Sequence, residues 1–199
     1  MIRPMFDTEI REYGNAHDVP ITKDETLEFL IKTINDSNSK EILEIGTAIA
    51  YGSISMATHT TCRHIDTVEK DDERYAIAIE NIKGKNLLDK ITVYHMDAMD
   101  YIKSCDKEYD LIYLDGPKGQ YINYLPYLTK LLKKSGVIFA DNLHFHGMVT
   151  GEIPVPRGCR AMIKGLHRYI DEISNNPIYD TKIYNIGDGV GVTIKKSDI

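Results

Sequence analysis

Short apolar runs alternate with amphipathic segments along most of the chain. Five runs rich in aliphatic and β-branched residues have the length of buried strands, at residues 41–45, 64–68, 91–94, 109–114 and 136–140. Elsewhere, apolar residues recur at three- and four-residue spacing, which predicts helices over 5–17, 24–35, 49–57, 71–83, 98–104, 120–133 and 158–173. Strands that alternate with helices in this way form parallel βαβ units with right-handed crossovers in a doubly wound sheet.

The two ends of the chain depart from this alternation. Two helices precede the first strand, and we interpret residues 1–36 as an N-terminal helical extension of a single domain over 1–199. At the other end, β-rich runs at 179–186 and 190–195 flank a Gly-Asp-Gly turn, which predicts an antiparallel hairpin. The expected fold is therefore α/β, with a mostly parallel seven-stranded sheet that ends in this hairpin.

Composition narrows the class of protein. The chain is 42% hydrophobic and 27% charged, which is ordinary for a globular protein and excludes collagen-like, disordered and membrane classes. No run approaches the ~18 apolar residues of a membrane span, and the first residues lack the apolar stretch of a signal peptide. Three cysteines without C-x-x-C spacing argue against a disulfide framework or a zinc site and favour a reducing cytoplasm.

The net charge of −6 argues against a general nucleic-acid binder. One predicted helix nevertheless carries a basic face, because its cationic residues are spaced 3, 4 and 4 apart. The residues of this basic face are Arg157, Arg160, Lys164 and Arg168, with His167 beside them. The face is suited to RNA phosphates, but it is equally the ordinary solvent face of an amphipathic helix, and both interpretations stay open.

The carboxyl ends of the first strands carry the features of an adenosine site. Ligands of doubly wound sheets bind at these ends. After the first strand, Gly46 begins a turn that opens a helix, which presents backbone N–H groups to an anion. Glu69 ends the second strand and is placed to bind ribose hydroxyls, and Asp97 follows the third, where an adenine amine could be met. The alternative is a plain strand–helix turn with a solvated Glu69.

A dinucleotide site is disfavoured. The fingerprint G-x-G-x-x-G would place glycine at positions occupied by Ala48 and Tyr51. A dehydrogenase therefore fits less well than a protein that binds one adenosine without a pyrophosphate, such as S-adenosylmethionine.

Oxygen ligands follow the fourth and fifth strands. Asp115 comes after one, and Asp141 and Asn142 after the other. Neighbouring strand ends converge, so these side chains predict an all-oxygen site that suits Mg²⁺. A cation there would destabilise the ammonium of Lys118 and suit it to proton abstraction. The alternatives are helix-capping aspartates and a surface lysine. A metal triad with Lys118 disfavours a non-catalytic adenosine-binding module.

Two histidines follow the predicted oxygen ligands. His144 and His146 have H-x-H spacing, which could indicate zinc, but the oxygen set favours a harder ion. We interpret them as the rim of a pocket that faces substrate.

Four motifs together resemble one family. LEIGTAIAYGS, VEKDDERY, YLDGPKGQY and GVIFADN resemble the cation-dependent class I O-methyltransferases, which include catechol and caffeoyl-coenzyme A methyltransferases. The resemblance covers residues 21–195. Within the family, VPI at 19–21, the arginine-rich helix and Gly-Asp-Gly are most similar to the bacterial methyltransferases of tRNA 5-hydroxyuridine.

The resemblance implies a Rossmann-like class I methyltransferase fold and a homodimer. It implies S-adenosylmethionine as cofactor, and Mg²⁺ or another divalent cation. The expected reaction converts 5-hydroxyuridine at the tRNA wobble position to 5-methoxyuridine, with the basic face on the RNA. The alternative is a catechol-type methyltransferase of small molecules, favoured by the acidic net charge.

The resemblance also implies roles for individual residues. Lys118 is the expected base, and the expected metal ligands are Asp115, Asp141 and Asn142. The expected cofactor contacts are Thr22, Gly46, Gly52, Ser53, Glu69, Asp97, Ala98 and Asp115. One departure concerns the methionine carboxylate: relatives have G-Y-S where this chain has Ala50-Tyr51-Gly52, and Ser53 is expected to replace the missing hydroxyl.

Overall fold

A computed structural model describes residues 6–196 of the chain. The strands are β1 (Glu41–Ile45), β2 (His64–Glu69), β3 (Ile91–His95), β4 (Tyr109–Leu114), β5 (Leu132–Ala140), β6 (Tyr179–Tyr184) and β7 (Val190–Lys195). Their order in the seven-stranded sheet is β3-β2-β1-β4-β5-β7-β6. The helices are α1 (Thr8–Ala16), α2 (Asp24–Asp36), α3 (Tyr51–His59), α4 (Asp72–Gly84), α5 (Ala98–Ser104), α6 (Tyr121–Leu131) and α7 (Arg160–Asn175). The predicted fold class is confirmed.

The chain divides into two compact units between Tyr101 and Ile102. In the first unit, β1, β2 and β3 pair in parallel, with Ile45 beside Val68 and Val68 beside Tyr94. The apolar runs of β1 and β2 are almost wholly buried, as parallel strands covered on both faces require. The single-domain organisation of residues 1–199 stays a prediction.

The second unit contains the hairpin. β4 and β5 are parallel, with Leu114 beside Ala140, whereas β7 runs antiparallel to both β5 and β6. Because Leu114 and Ala140 are paired, the residues that follow them leave the two strands at the same level. This register places Asp115 and Asp141 at the same edge.

Several element boundaries differ from the prediction, and two of these differences coincide with backbone irregularities. Helix α3 begins at Tyr51 rather than residue 49, because Ala48 and Ala50 take left-handed backbone with φ of +48° and +67°. Strand β5 begins at Leu132 rather than residue 136, with a register shift against β4 between Tyr109 and Leu111. Such irregularities leave no periodic signal in the sequence.

Ionic contacts hold the N-terminal helices within the first unit, to which they belong. Asp7 caps α1 by accepting from the Ile10 N–H at 3.0 Å, and it is paired with Lys85 just beyond α4. Arg11 in α1 reaches Asp24, the first residue of α2, at 2.5 Å. No helix among residues 6–196 is long and apolar enough to cross a membrane.

Candidate active site

The turn after β1 presents a helix N-terminus. Helix α3 starts at Tyr51, and the N–H groups of its first turn, including that of Gly52, have no partner within a helix. They and the helix dipole make this end of α3 suited to a carboxylate. Gly46 begins the turn, and its N–H donates to the Val68 carbonyl at 3.2 Å, which holds the turn against the end of β2.

Ser53 does not supply the hydroxyl missing at residue 52. Its side chain is fully buried and its hydroxyl donates to the carboxylate of Glu44 in β1. Glu44 also accepts from the Thr67 hydroxyl at 2.6 Å. This part of the prediction is wrong, because the side chain of Ser53 lies on the core side of α3. The role of Glu44 was missed, although a carboxylate inside the apolar run EILEI is a recognisable signal.

Glu69 links two turns at the proposed ribose site. It is 8% exposed, so a solvated Glu69 is excluded. Its Oε2 accepts from the Ala48 N–H at 2.9 Å, and its Oε1 accepts from the N–H groups of Lys70 and Asp71 at 3.0 Å. A carboxylate accepts about four hydrogen bonds, so one further donor such as a ribose hydroxyl can still be accommodated.

The other predicted cofactor residues of the first unit lie on two further segments. Asp97 caps α5 by accepting from the Met99 N–H at 2.8 Å, and Ala98 is the first residue of that helix. Thr22 is buried and lines an open cavity of about 690 Å³ together with Arg11 and Ile21. Contacts of these residues with adenosine stay predictions.

The ends of β4 and β5 bring Asp115 and Asp141 together in the second unit. Asp115 Oδ1 lies 2.6 Å from Lys118 Nζ, and its Oδ2 accepts from the Tyr113 hydroxyl at 3.1 Å. Asp141 is buried, and its Oδ1 accepts from the Asn142 N–H at 2.7 Å.

Tyr121 links these two strand ends through its hydroxyl group. Its hydroxyl lies 2.9 Å from the Leu114 carbonyl and 3.3 Å from the Asp141 carbonyl. Burial, followed by the negative charges of Asp115 and Asp141, raises the pKa of Tyr121 well above its usual value. The hydroxyl therefore stays protonated and acts as a donor.

The electrostatics of the pair indicate a site for positive charge. Burial, and then the charge of Asp115, raise the pKa of Asp141 to about 7, although the Asn142 N–H and Lys118 act in the opposite direction. Two carboxylates and an amide are ligands that suit a divalent cation, so these residues fit the expected metal. No group of three or more His, Cys, Asp and Glu side chains among residues 6–196 is arranged to hold a metal ion. A cation here would therefore also need Asn142 and oxygens from water or substrate.

Lys118 lies in a short 3₁₀ turn directly before α6. Its side chain is 16% exposed, and it is held beside Asp115. The turn packs on α7, where a Cβ on Gly165 would lie 2.9 Å from the Gly119 carbonyl oxygen. The base role of Lys118 stays a prediction.

The loop after β5 carries the two histidines. Their backbone N–H groups both bind Asp188: His144 donates to its carbonyl oxygen at 2.9 Å and His146 to its Oδ1 at 2.8 Å. The His146 side chain is exposed. Their predicted place on a substrate pocket rim stays a prediction.

The basic face is solvent-exposed. Arg160, Lys164, His167 and Arg168 lie on α7, and Arg157 lies in the 3₁₀ turn before it. All five side chains are exposed, and within residues 6–196 no ion pair involves them. The predicted helix is confirmed, whereas its use by RNA stays a prediction.

Comparison with known proteins defines the class. The fold is that of the class I methyltransferases: the O-methyltransferase of Bacillus cereus, solved in complex with SAH, superposes with a TM-score of 0.81 at 23% identity over 94% of this chain and 89% of that one. A Staphylococcus aureus protein provisionally named a caffeoyl-CoA O-methyltransferase has a TM-score of 0.87 at 32% identity, over 94% and 90% of the two chains.

Sequence relatives agree with the structural ones. A caffeoyl-CoA O-methyltransferase of Populus kitakamiensis is 26% identical over 199 residues, covering 95% of this chain and 83% of the relative. A catechol O-methyltransferase of Niastella koreensis is 27% identical over 168 residues, covering 79% of this chain and 74% of the relative. The O-methyltransferase family model matches residues 3–196, so the chain belongs to this family and is an S-adenosylmethionine-dependent O-methyltransferase.

Proposed function

We propose that this enzyme methylates one of two vicinal oxygens on a catechol-type small molecule and uses a divalent cation to do so. The observation that carries the proposal is the pair of carboxylates at adjacent strand ends: Asp115 lies beside Lys118, and burial and the charge of Asp115 raise the pKa of Asp141. The relatives named for caffeoyl-CoA and catechol support a small-molecule acceptor.

Asp115, Asp141 and the amide oxygen of Asn142 would hold the cation. A divalent cation held there would act as a Lewis acid and would lower the pKa of the substrate hydroxyl. The residues of this chain then orient the acceptor and move its proton, and catalysis is mostly positioning.

Each remaining residue has an assigned role. The N-terminus of α3 binds the methionine carboxylate of the cofactor, and Glu69 accepts from its ribose. Lys118 takes the acceptor proton on Nζ. S-adenosylmethionine supplies a methyl group to the acceptor oxygen, and the electrons of the broken carbon–sulfur bond remain on sulfur.

The test measures methyl transfer to a catechol with and without EDTA. Wild-type turnover should disappear in EDTA and return with Mg²⁺. Asp141→Ala should abolish turnover. Calorimetry should show S-adenosylmethionine affinity within about twofold of wild type, because Asp141 is not one of the proposed cofactor contacts. Asp180→Ala, which removes an exposed carboxylate from β6, is the matched control and should keep wild-type turnover. Full activity in EDTA would contradict the proposed metal role.

A second candidate acceptor is 5-hydroxyuridine in the wobble position of tRNA. The exposed basic face of α7 favours it, and α7 packs on the turn that carries Lys118. The 5-hydroxyl and 4-carbonyl are vicinal and could chelate as a catechol pair does, and an unpaired anticodon base can be splayed into a pocket. The homodimer implied by the resemblance also stays a prediction.

A further inference from the structure

The turn between β6 and β7 packs directly against the loop that follows β5. The Leu143 N–H donates to the Gly189 carbonyl at 2.9 Å. Gly189 has a φ of +84°, and a Cβ there would lie 2.5 Å from His144 Cδ2. Only glycine allows both this backbone conformation and this approach. The Gly-Asp-Gly sequence therefore does more than close a hairpin.

The loop held by this turn has an unusual backbone. Asn142, Phe145 and His146 have φ values of +59°, +42° and +54°. Left-handed conformations of residues other than glycine persist only where the surroundings hold them. At this loop, Asp188 supplies part of that support.

Asp188 reaches three parts of the loop. Its side chain is 9% exposed. Its Oδ1 accepts from the His146 N–H at 2.8 Å, its carbonyl oxygen accepts from the His144 N–H at 2.9 Å, and its Oδ2 lies 3.4 Å from Asn142 Nδ2. A buried carboxylate thus ties the loop backbone and the Asn142 amide to the hairpin.

We propose that Asp188 is a positioning residue that turns the amide oxygen of Asn142 toward the cation. A carboxylate only accepts hydrogen bonds. The Asp188 carboxylate therefore binds the NH₂ group of Asn142. The Oδ1 of Asn142 then points away from Asp188 and is available as a ligand. We assign Asp188 no direct contact with the cation or the substrate. This inference rests on the proposed divalent site.

The informative substitution is Asp188→Asn. It keeps the size of the side chain and an oxygen for the His146 N–H. It also brings an NH₂ group, which can face the Asn142 oxygen and turn the amide the wrong way. Asp180→Asn is the matched control, because it makes the same chemical change at an exposed position of the same hairpin.

The experiment titrates Mn²⁺ into the metal-free protein. Calorimetry measures the affinity, and electron paramagnetic resonance records the spectrum of the bound ion. Partners that orient metal ligands are typically worth about 10- to 100-fold in metal affinity. Asp188→Asn should lose affinity by that factor and change the Mn²⁺ spectrum, whereas Asp180→Asn should match wild type. The affinity for S-adenosylmethionine should be unchanged in both.

A double variant separates positioning from stability. In an Asn142→Ala background no amide remains to be oriented, so adding Asp188→Asn should weaken Mn²⁺ binding no further. An equal additional loss there, or wild-type Mn²⁺ affinity in Asp188→Asn, would overturn the inference and leave the divalent site in place. A wild type that binds no Mn²⁺ would instead overturn the divalent site and this inference with it.

Should Asp188→Asn not fold, amide hydrogen exchange of the wild-type loop provides the measurement. The His144 and His146 amides should exchange slowly, and Mn²⁺ should slow them further because the loop and the ligand are one unit. Fast exchange that Mn²⁺ leaves unchanged would overturn the inference.

Discussion

The structure shows one role of Glu69, and we propose a second. Its carboxylate accepts three backbone N–H groups from the turns after β1 and β2, and we assign its remaining capacity to the cofactor ribose. Glu69→Gln keeps the shape of the side chain but loses one acceptor oxygen and the charge. Leaving polar groups unpaired costs roughly 1–3 kcal/mol, so S-adenosylmethionine affinity should fall about ten- to hundredfold by calorimetry.

The control for Glu69 is its neighbour Asp71. Asp71 caps α4 through the Arg74 N–H and is exposed. Asp71→Asn keeps an N-cap acceptor and should leave cofactor affinity unchanged. An unchanged dissociation constant in Glu69→Gln would place the ribose site elsewhere.

Residue-level chemistry could be predicted where the strand-end rule applies. Asp115 and Asp141 were found because both directly follow buried strands, and the paired register of β4 and β5 brings them together. The Ser53 hydroxyl was misplaced because helical periodicity gives the face of a residue but not the direction of a short side chain. The partnership of Asn142 with Asp188 spans 46 residues, and no local pattern reveals it.

At the scale of elements, the strands were the most predictable. The bounds of β1 and β4 agree with those read from apolar runs, because parallel strands covered on both faces are mostly apolar. The bounds of the antiparallel strand β7 agree as well. The start of α3 and the start of β5 were missed. The left-handed Ala50 directly precedes α3, and Ser135 has left-handed backbone inside β5. Neither residue type indicates that conformation.

The basic face of α7 provides the test that separates the two acceptors. Arg160→Glu with Lys164→Glu reverses two exposed charges. If the face tracks phosphates, kcat/KM for tRNA carrying 5-hydroxyuridine should fall at least tenfold, and its salt dependence should become shallower because fewer counterions are released. Activity on catechol should stay within about twofold, since Lys118 and the carboxylates are untouched.

The matched control reverses two exposed lysines elsewhere. Lys83→Glu with Lys134→Glu makes the same change in net charge, on α4 and β5. If tRNA methylation falls equally in both double variants, the effect belongs to overall charge. If tRNA methylation falls in neither double variant, only the small-molecule acceptor remains. If the α7 variant loses activity on catechol as well as on tRNA, the substitutions disturb α7 itself.

At the scale of the whole chain, the class of fold followed from alternation. Strands that alternate with helices permit few topologies besides a doubly wound sheet. The Gly-Asp-Gly turn correctly predicted the antiparallel hairpin at the C-terminal end of the sheet. The division into two compact units at Tyr101 was not predicted. It falls within α5, where the sequence has neither a linker composition nor a change in pattern.

The ion pair between Asp7 and Lys85 should make the folding stability of the chain depend on pH. Burial alone would raise the pKa of Asp7, but hydrogen bonds from Lys85 and from backbone N–H groups outweigh it and hold the pKa below the usual 3.8. A lowered folded-state pKa gives stability that is present above pH 3.8 and is lost as the pH falls through the folded value. The pair should therefore stabilise the chain at neutral pH and not in strong acid.

Asp7→Asn measures this contribution, because asparagine still caps α1 but carries no charge. Urea unfolding followed by circular dichroism should show wild type more stable by about 0.5–1 kcal/mol at pH 7 and at pH 5, the range of a partly exposed ion pair. The difference should shrink as the pH falls below 3.8. Asp36→Asn, which breaks the exposed Lys32–Asp36 pair on α2, should change stability by less than about 0.5 kcal/mol. A difference for Asp7→Asn that is as large in strong acid as at pH 7 would mean that its cause is packing and not charge.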